Sequence, residues 1–126
     1  MGAELAVHAE QPQQWPTGGW VELHGFADVI VTKLELEMGV WVIVGRVVIK
    51  NTDGDNQMVT AKIVHDANVI IDHVTIWAPS ATQHCMAVQA TLKSRRPETV
   101  VLMCNTFSGH VFSGSLIAFK VDNAVP

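Results

Sequence analysis

Charge is scarce in this 126-residue chain, where 16% of residues are Asp, Glu, Lys or Arg, against about 25% in an average soluble domain. With 48% of residues hydrophobic, the polar surface is too sparse to wrap a lone monomer, which points to oligomerisation. Positive charge is scarcer still. Eight Lys and Arg stand against twelve Asp and Glu, for a net charge of −4, and they are scattered except for Arg95 and Arg96. Without a basic face for phosphates, nucleic-acid binding is not expected. No apolar run approaches the roughly 18 residues of a membrane helix, so no membrane insertion is expected. The opening stretch, MGAELAVHAEQPQQ, has neither the basic start nor the apolar length of a signal peptide. Cysteine occurs only at positions 85 and 104, too few for a disulfide scaffold or a four-ligand zinc site. Both are expected as small buried apolar residues; a Cys85–Cys104 bridge stays open, because spacing does not show whether the Cα atoms lie within bonding reach. Helical 3, 4, 7 spacing is missing from every segment longer than about ten residues, and there is no internal repeat or low-complexity tract.

What is present is strand signal. Val, Ile, Thr and Trp recur in short runs separated by Gly, Pro, Asn and Asp, the pattern of an all-β chain. Residues 3–9 read as a short first strand, and EQPQQWPTGG (10–19) as a loop or mobile arm. The segment 20–37 holds two strand-like halves. In the second, Ile30, Thr32, Leu34 and Leu36 alternate with Val31, Lys33, Glu35 and Glu37, so the first set is expected on the apolar side. Further strands are expected over 40–50, 57–66, 69–77, 84–93, 99–105 and 115–121. Asp66-Ala67-Asn68 forms a tight connection, Pro97 interrupts the ladder, and FSGHVFSG (107–114) leads as a loop into the last strand. About eight to ten strands at this spacing make a sandwich or a closed barrel.

One strand is unusual. Val40 to Ile49 contains only Gly45 and Arg46 as non-apolar members, so alternation gives it two apolar sides: Trp41, Ile43, Gly45, Val47 and Ile49 on one, Val42, Val44, Arg46 and Val48 on the other. One side can cover a core. The other needs a second cover.

Two stretches carry a family likeness. LELEMGVWVIVGRVVI, with Gly39 opening a turn two residues before Trp41, resembles a central strand of the C1q and tumour-necrosis-factor jelly rolls, and FSGSLIAFKV resembles their closing strand. AVQATLK and ETVVLMC stand where a further strand pair is expected, although Ser94-Arg95-Arg96-Pro97-Glu98 replaces the usual Gly-Asp connector, and the chain has no Tyr, a residue these families often place at subunit contacts. The chain also resembles small jelly-roll modules of bacterial and phage proteins that end in an IAFKVDN-type strand. The resemblance implies a two-sheet antiparallel jelly-roll sandwich over residues 20–126, preceded by a first strand and arm over 1–19, in a single domain. It implies a non-enzymatic homotrimer that acts through surface recognition of a protein or glycan partner, with extracellular or virion-surface location. It places Trp41, Ile43, Val47 and Ile49 in the sandwich core. The trimer contact falls to Val42, Val44, Arg46 and Val48, joined by Ala87, Ile117 and Phe119. Each Val or Ile left in water there forgoes roughly 1.5–3 kcal/mol of burial, a large driving term for association. Two alternatives share the fold: a structural or host-recognition part of a phage or bacterial surface assembly, and a carbohydrate-binding lectin-like module.

Catalytic and metal chemistry finds little footing. Six histidines (8, 24, 65, 73, 84, 110) include no His-x-His or His-x3-His pair; His65 and His73, on adjacent hairpin strands, are the pair that can face each other, short of the three or four ligands a site needs. In NTDGDN (51–56), Asp53, Asp55 and Asn56 are candidate oxygen ligands for calcium, without the spacing and closing Glu of a calcium loop. Ser108-Gly109-His110 lacks a nucleophile elbow, so no catalytic residue is assigned. Trp20 and Trp77, at strand ends, are expected to plug the core, and Trp15 in the arm to be exposed or docked on a neighbour.

Overall fold

The computed structural model describes residues 6–10, 21–66 and 69–121. Nine strands run through them: β1 (Ala6–Glu10), β2 (Val21–His24), β3 (Val29–Leu36), β4 (Gly39–Asn51), β5 (Gln57–His65), β6 (Val69–Ala78), β7 (Gln83–Ser94), β8 (Glu98–Thr106) and β9 (Ser108–Val121). Sheet A has the order β1-β9-β4-β7, with β2 also paired to β9, and sheet B has the order β3-β8-β5-β6. Every pairing is antiparallel. Only β5 and β6 are paired neighbours in sequence; every other connection from β3 onward crosses from one sheet to the other. That is a jelly-roll sandwich. Of the arm expected over 1–19, all but Ala6–Glu10 lies outside the described residues.

Alternation builds the core. Trp41, Ile43, Val47 and Ile49 of β4 are buried between the sheets, meeting Val59, Ala61 and Ile63 of β5, Val100, Leu102 and Cys104 of β8, and Leu116 and Ala118 of β9 in one cluster. The Trp41 indole donates its N–H to the Glu37 carbonyl at 2.9 Å, so its one polar atom is satisfied.

Two expectations change. In β3 the register shifts between Ile30 and Thr32, and the bulge turns Val31 into the core, 1% exposed, and Ile30 outward, 50% exposed. One extra residue inverts a face. The loop expected over 107–114 is mostly strand: Ser108 onward belongs to β9, where Ser108–Val111 pair with β2 and Gly109–Ser113 run beside β4. Its glycines serve close approach rather than a turn. A Cβ on Gly114 would lie 2.2 Å from Val31 Cγ1, so the bulged valine occupies the space a side chain there would need.

Candidate functional site

The outer face of sheet A follows from the register of β4. Val42 lies between Thr91 and Phe119, Val44 between Gln89 and Ile117, Arg46 between Ala87 and Ser115, and Val48 between Cys85 and Ser113. Val42, Val44, Val48 and Ile117 are half-buried, whereas Arg46, Ala87 and Phe119 are exposed. Phe119 shows 45% and Val121 40% of its surface to solvent. The face is therefore apolar along β4 and β9 and small or polar along β7. Arg46 interrupts the apolar row between Val44 and Val48. Trp41, Ile43, Val47 and Ile49 occupy the opposite side of the same strand, 0–1% exposed.

The outer face of sheet B is wired differently. Lys62 pairs with Asp28 at 2.9 Å, Asn105 donates to Asp28 at 2.7 Å, Thr60 and Thr75 share a hydrogen bond, and Thr99 donates to Glu35. Burial pushes the Asp28 carboxyl up, but hydrogen bonds from Lys62 and Asn105, with the Lys62 charge, outweigh it and hold it below its ordinary value. At the edge, Glu98 receives the Ser94 hydroxyl at 2.7 Å and meets His65 Nδ1. The Ser94 hydrogen bond, more than the neighbouring His65 and Arg96, keeps the Glu98 carboxyl below the usual range. The carboxylate stands between hydroxyl and imidazole. Ser94 thus bonds the carboxylate directly and not the imidazole, unlike the hydroxyl of a Ser-His pair. Beside them an open groove of about 650 Å³ has an apolar floor of Ile30, Val101 and Met103 under Arg96 and Glu98.

The acidic loop is tied into the scaffold. Asn51, fully buried, directs its amide to the carbonyls of Asp55, Ala78 and Pro79, and its Oδ1 accepts from Asp53 N–H and the Gln57 side chain. The Asp53 carboxylate accepts Gly54 N–H at 2.8 Å, and Asn56 Oδ1 accepts Ser80 N–H. Among the described residues no group of three or more His, Cys, Asp or Glu is placed to hold a metal ion. His65 and His73 do not face each other: their strand partners are Val69 and Lys62.

Two further expectations fail. Cys85 is exposed on β7 and unbridged, while Cys104 is buried, its thiol pushed up to about 12 by burial. The two lie in different sheets, Cys85 in A and Cys104 in B. Trp77 is 67% exposed, because it alternates with Ile76 and Ala78, which face the core, and so stands with its partner Met58 on the outer face. Trp15 and Trp20 lie outside the described residues.

The arrangement of strands has clear counterparts. Two structures of infectious bursal disease virus are similar: its VP2 subviral particle, with a TM-score of 0.62 at 9% identity over 99% of this chain and 35% of that one, and its Gx strain, with a TM-score of 0.60 at 11% identity over 98% of this chain and 34% of that one. A third, the T=1 particle derived from the same virus, gives a TM-score of 0.61 at 9% identity over 94% and 32% of the two chains. This chain folds as a jelly roll of that kind. It spans about a third of the length of those viral chains. No protein-family model and no curated protein matches the chain. The likeness to these viral jelly rolls is one of fold, at identities where sequence carries none of it.

The signals for what sequence reasoning missed were partial. Asn51 and Gln57 bracket the acidic loop, and buried amides that tie a loop to its neighbours look in sequence like any other loop polar residue. Phe26 and Phe107, more than 80 positions apart in sequence, meet with ring centroids 6.0 Å apart; only the crossing of β3 beside β8 brings them together.

Proposed function

We propose that this jelly roll is a non-enzymatic structural subunit of a phage-type or virus-type surface assembly, associating with copies of itself through the outer face of sheet A. The observation that carries the reading is the apolar row Val42, Val44, Val48, Ile117 and Phe119 on a sheet whose inner side already fills the sandwich. Apolar side chains gathered in adjoining rows, though broken at Arg46, mark a contact, and a chain with 16% charged residues has little polar surface to spare. The origin of its structural counterparts in virus particles favours assembly over the soluble-ligand role that the C1q and tumour-necrosis-factor resemblance suggests. That resemblance supplies the symmetry: a homotrimer with β4 and β9 of each copy against its neighbours, and virion or cell-surface location. Arg46, exposed within the row, then faces bound anions, carboxylates or solvent at the contact.

The test is mass in solution by light scattering for the unmodified chain and for Val44→Asp. The unmodified protein is expected as a trimer and the variant as a folded monomer. A monomeric unmodified protein overturns the reading.

A further inference from the structure

One end of the sandwich displays aromatic side chains that the core does not use. The β2–β3 turn, the 52–56 loop, the 79–82 loop and Phe107 all lie there, tied by hydrogen bonds from Gly25 N–H to Phe107 O at 2.8 Å, Thr52 N–H to Ser108 O at 3.2 Å and Ser80 Oγ to Asp53 O at 2.7 Å. Trp77 is 67%, Phe26 50%, Phe107 49% and Met58 45% exposed. Met58 and Trp77 are cross-strand partners, and Phe107 follows Thr106, the partner of Val59, which sets it level with Met58. Phe107 meets Phe26 at 6.0 Å and stacks on His24 at 6.5 Å between centroids.

Phe26 is held there at a conformational cost. Gly25 and Phe26 have φ of 62° and 60°, and Ala27 N–H closes the turn on His24 O, the geometry of a type I′ turn whose second central position ordinarily takes Gly or Asn. A bulky residue in the left-handed region is an outlier, and Phe26 offsets it with no deep burial. Such strain persists where the displayed side chain has a use.

Around the aromatics stand hydrogen-bonding groups: the paired hydroxyls of Thr52 and Ser108, 2.8 Å apart, the carboxylates of Asp53 and Asp55, and Asn56. These loops contain Asp28, Asp53 and Asp55 and no Lys or Arg, and Asp28 is already paired with Lys62. An acidic rim accepts hydroxyl protons and repels anions. Three aromatics exposed by half to two-thirds offer roughly 300–400 Å², well short of the roughly 800 Å² per partner that a standard protein interface buries. That area suits one or two sugar rings, whose C–H faces cover aromatic carbon while their hydroxyls reach the rim.

We propose that this end is a binding platform for neutral saccharides, with Trp77, Phe26 and Phe107 as stacking surfaces and Asp53, Asp55 and Asn56 as hydroxyl acceptors. It stands independently of self-association, since none of these residues lies on the outer face of sheet A.

The experiment titrates the full chain by calorimetry with cellohexaose, maltohexaose, mannohexaose and chitohexaose, and with sialyllactose and a heparin hexasaccharide as anionic arms. Saturable binding is expected for at least one neutral sugar and for neither anionic one. Phe26→Gly relieves the left-handed strain, so its melting temperature should rise while affinity falls about tenfold or more, a pairing that a purely structural role for Phe26 does not produce. Trp77→Ala should weaken binding to a similar degree at unchanged melting temperature. Silence across the neutral sugars at millimolar concentration, preference for an anionic one, or undiminished binding by both variants overturns the proposal. Light-scattering mass reports separately on assembly.

Discussion

The two outer faces of this sandwich are built from the same backbone geometry and opposite chemistry. On sheet B, the middle rows carry Thr60 with Thr75, Lys62 with Asp28, and Thr99 with Glu35, cross-strand pairs whose polar groups satisfy one another and meet water without loss. Apolar residues on this sheet gather outside those pairs, Ile30 and Met103 with Val101 in the groove and Met58 with Trp77 at one end. On sheet A, the corresponding rows hold Val42 beside Phe119 and Val44 beside Ile117. A face made for solvent invests in paired polar groups. A face made of β-branched and aromatic side chains gains free energy only when something covers it.

The sharpest way to break the comparison is to place the same carboxylate on each face. Val44→Asp removes roughly 1.5–3 kcal/mol of burial per copy and adds the desolvation of a charge at any contact. Since 1.4 kcal/mol is tenfold in affinity, light scattering should find a monomer over concentrations at which the unmodified chain is assembled. Thr60→Asp, on sheet B, should leave the mass unchanged and shift stability by no more than about 0.5 kcal/mol, within the range of surface substitutions. Equal effects from both substitutions would mean that the faces are functionally alike, whatever their composition.

The architecture was legible because alternation is a strong signal when it is unbroken. Val40 to Ile49 divides into two apolar sides on sequence alone, and the burial of β4 alternates along its length. Legibility failed wherever one residue broke the period. The bulge at Val31 exchanges the sides of Val31 and Ile30, and local composition carries no mark of it. The Gly and Ser of 107–114 read as loop because their low strand propensity is real, yet β2 and β4 flank that segment and pair with it; tertiary pairing overrides propensity. Trp77 was expected to plug the core because aromatics at strand ends often do. Alternation with Val74, Ile76 and Ala78, which face the core, turned it outward with His73 and Thr75. For the candidate site, the apolar row on β4 could be read, but the aromatic end could not, since Phe26, Phe107, Met58 and Trp77 come from four separate stretches.

Acid should separate the faces next. Asp28 and Glu98 have carboxyls held below their ordinary values in the fold, so their contribution is fully present above the ordinary carboxylate range and is lost as pH falls through that range to the lowered folded values. Thermal melting should therefore decline below about pH 4.5, the ordinary Glu value. Asp28→Asn should lower the melting temperature by a few degrees at pH 7, as expected for losing a partly exposed ion pair worth at most about 1 kcal/mol, and the gap to the unmodified chain should close as pH drops. The apolar face has no such groups along Val42, Val44 and Val48, so mass should stay that of pH 7 while pH falls below 4.5 and the melting temperature declines. A mass that falls in step with Asp28 and Glu98 protonation would tie assembly to sheet B instead.

The smallest effect bears on how far the contact on sheet A extends. Cys85 is exposed on β7 opposite Val48, at the boundary between the apolar rows and the small polar ones, whereas Cys104 is buried with its thiol pushed up to about 12. A thiol reagent should therefore titrate one cysteine in the native chain and the second only after denaturation. If the contact reaches across Ala87 to β7, Cys85 should react several-fold more slowly in the assembled chain than in the Val44→Asp monomer. An equal rate would confine the contact to β4 and β9, leaving Ala87 and the polar edge of sheet A in solvent. The thiol would then mark the border where the covered face gives way to one that, like the paired polar rows of sheet B, is at ease in water.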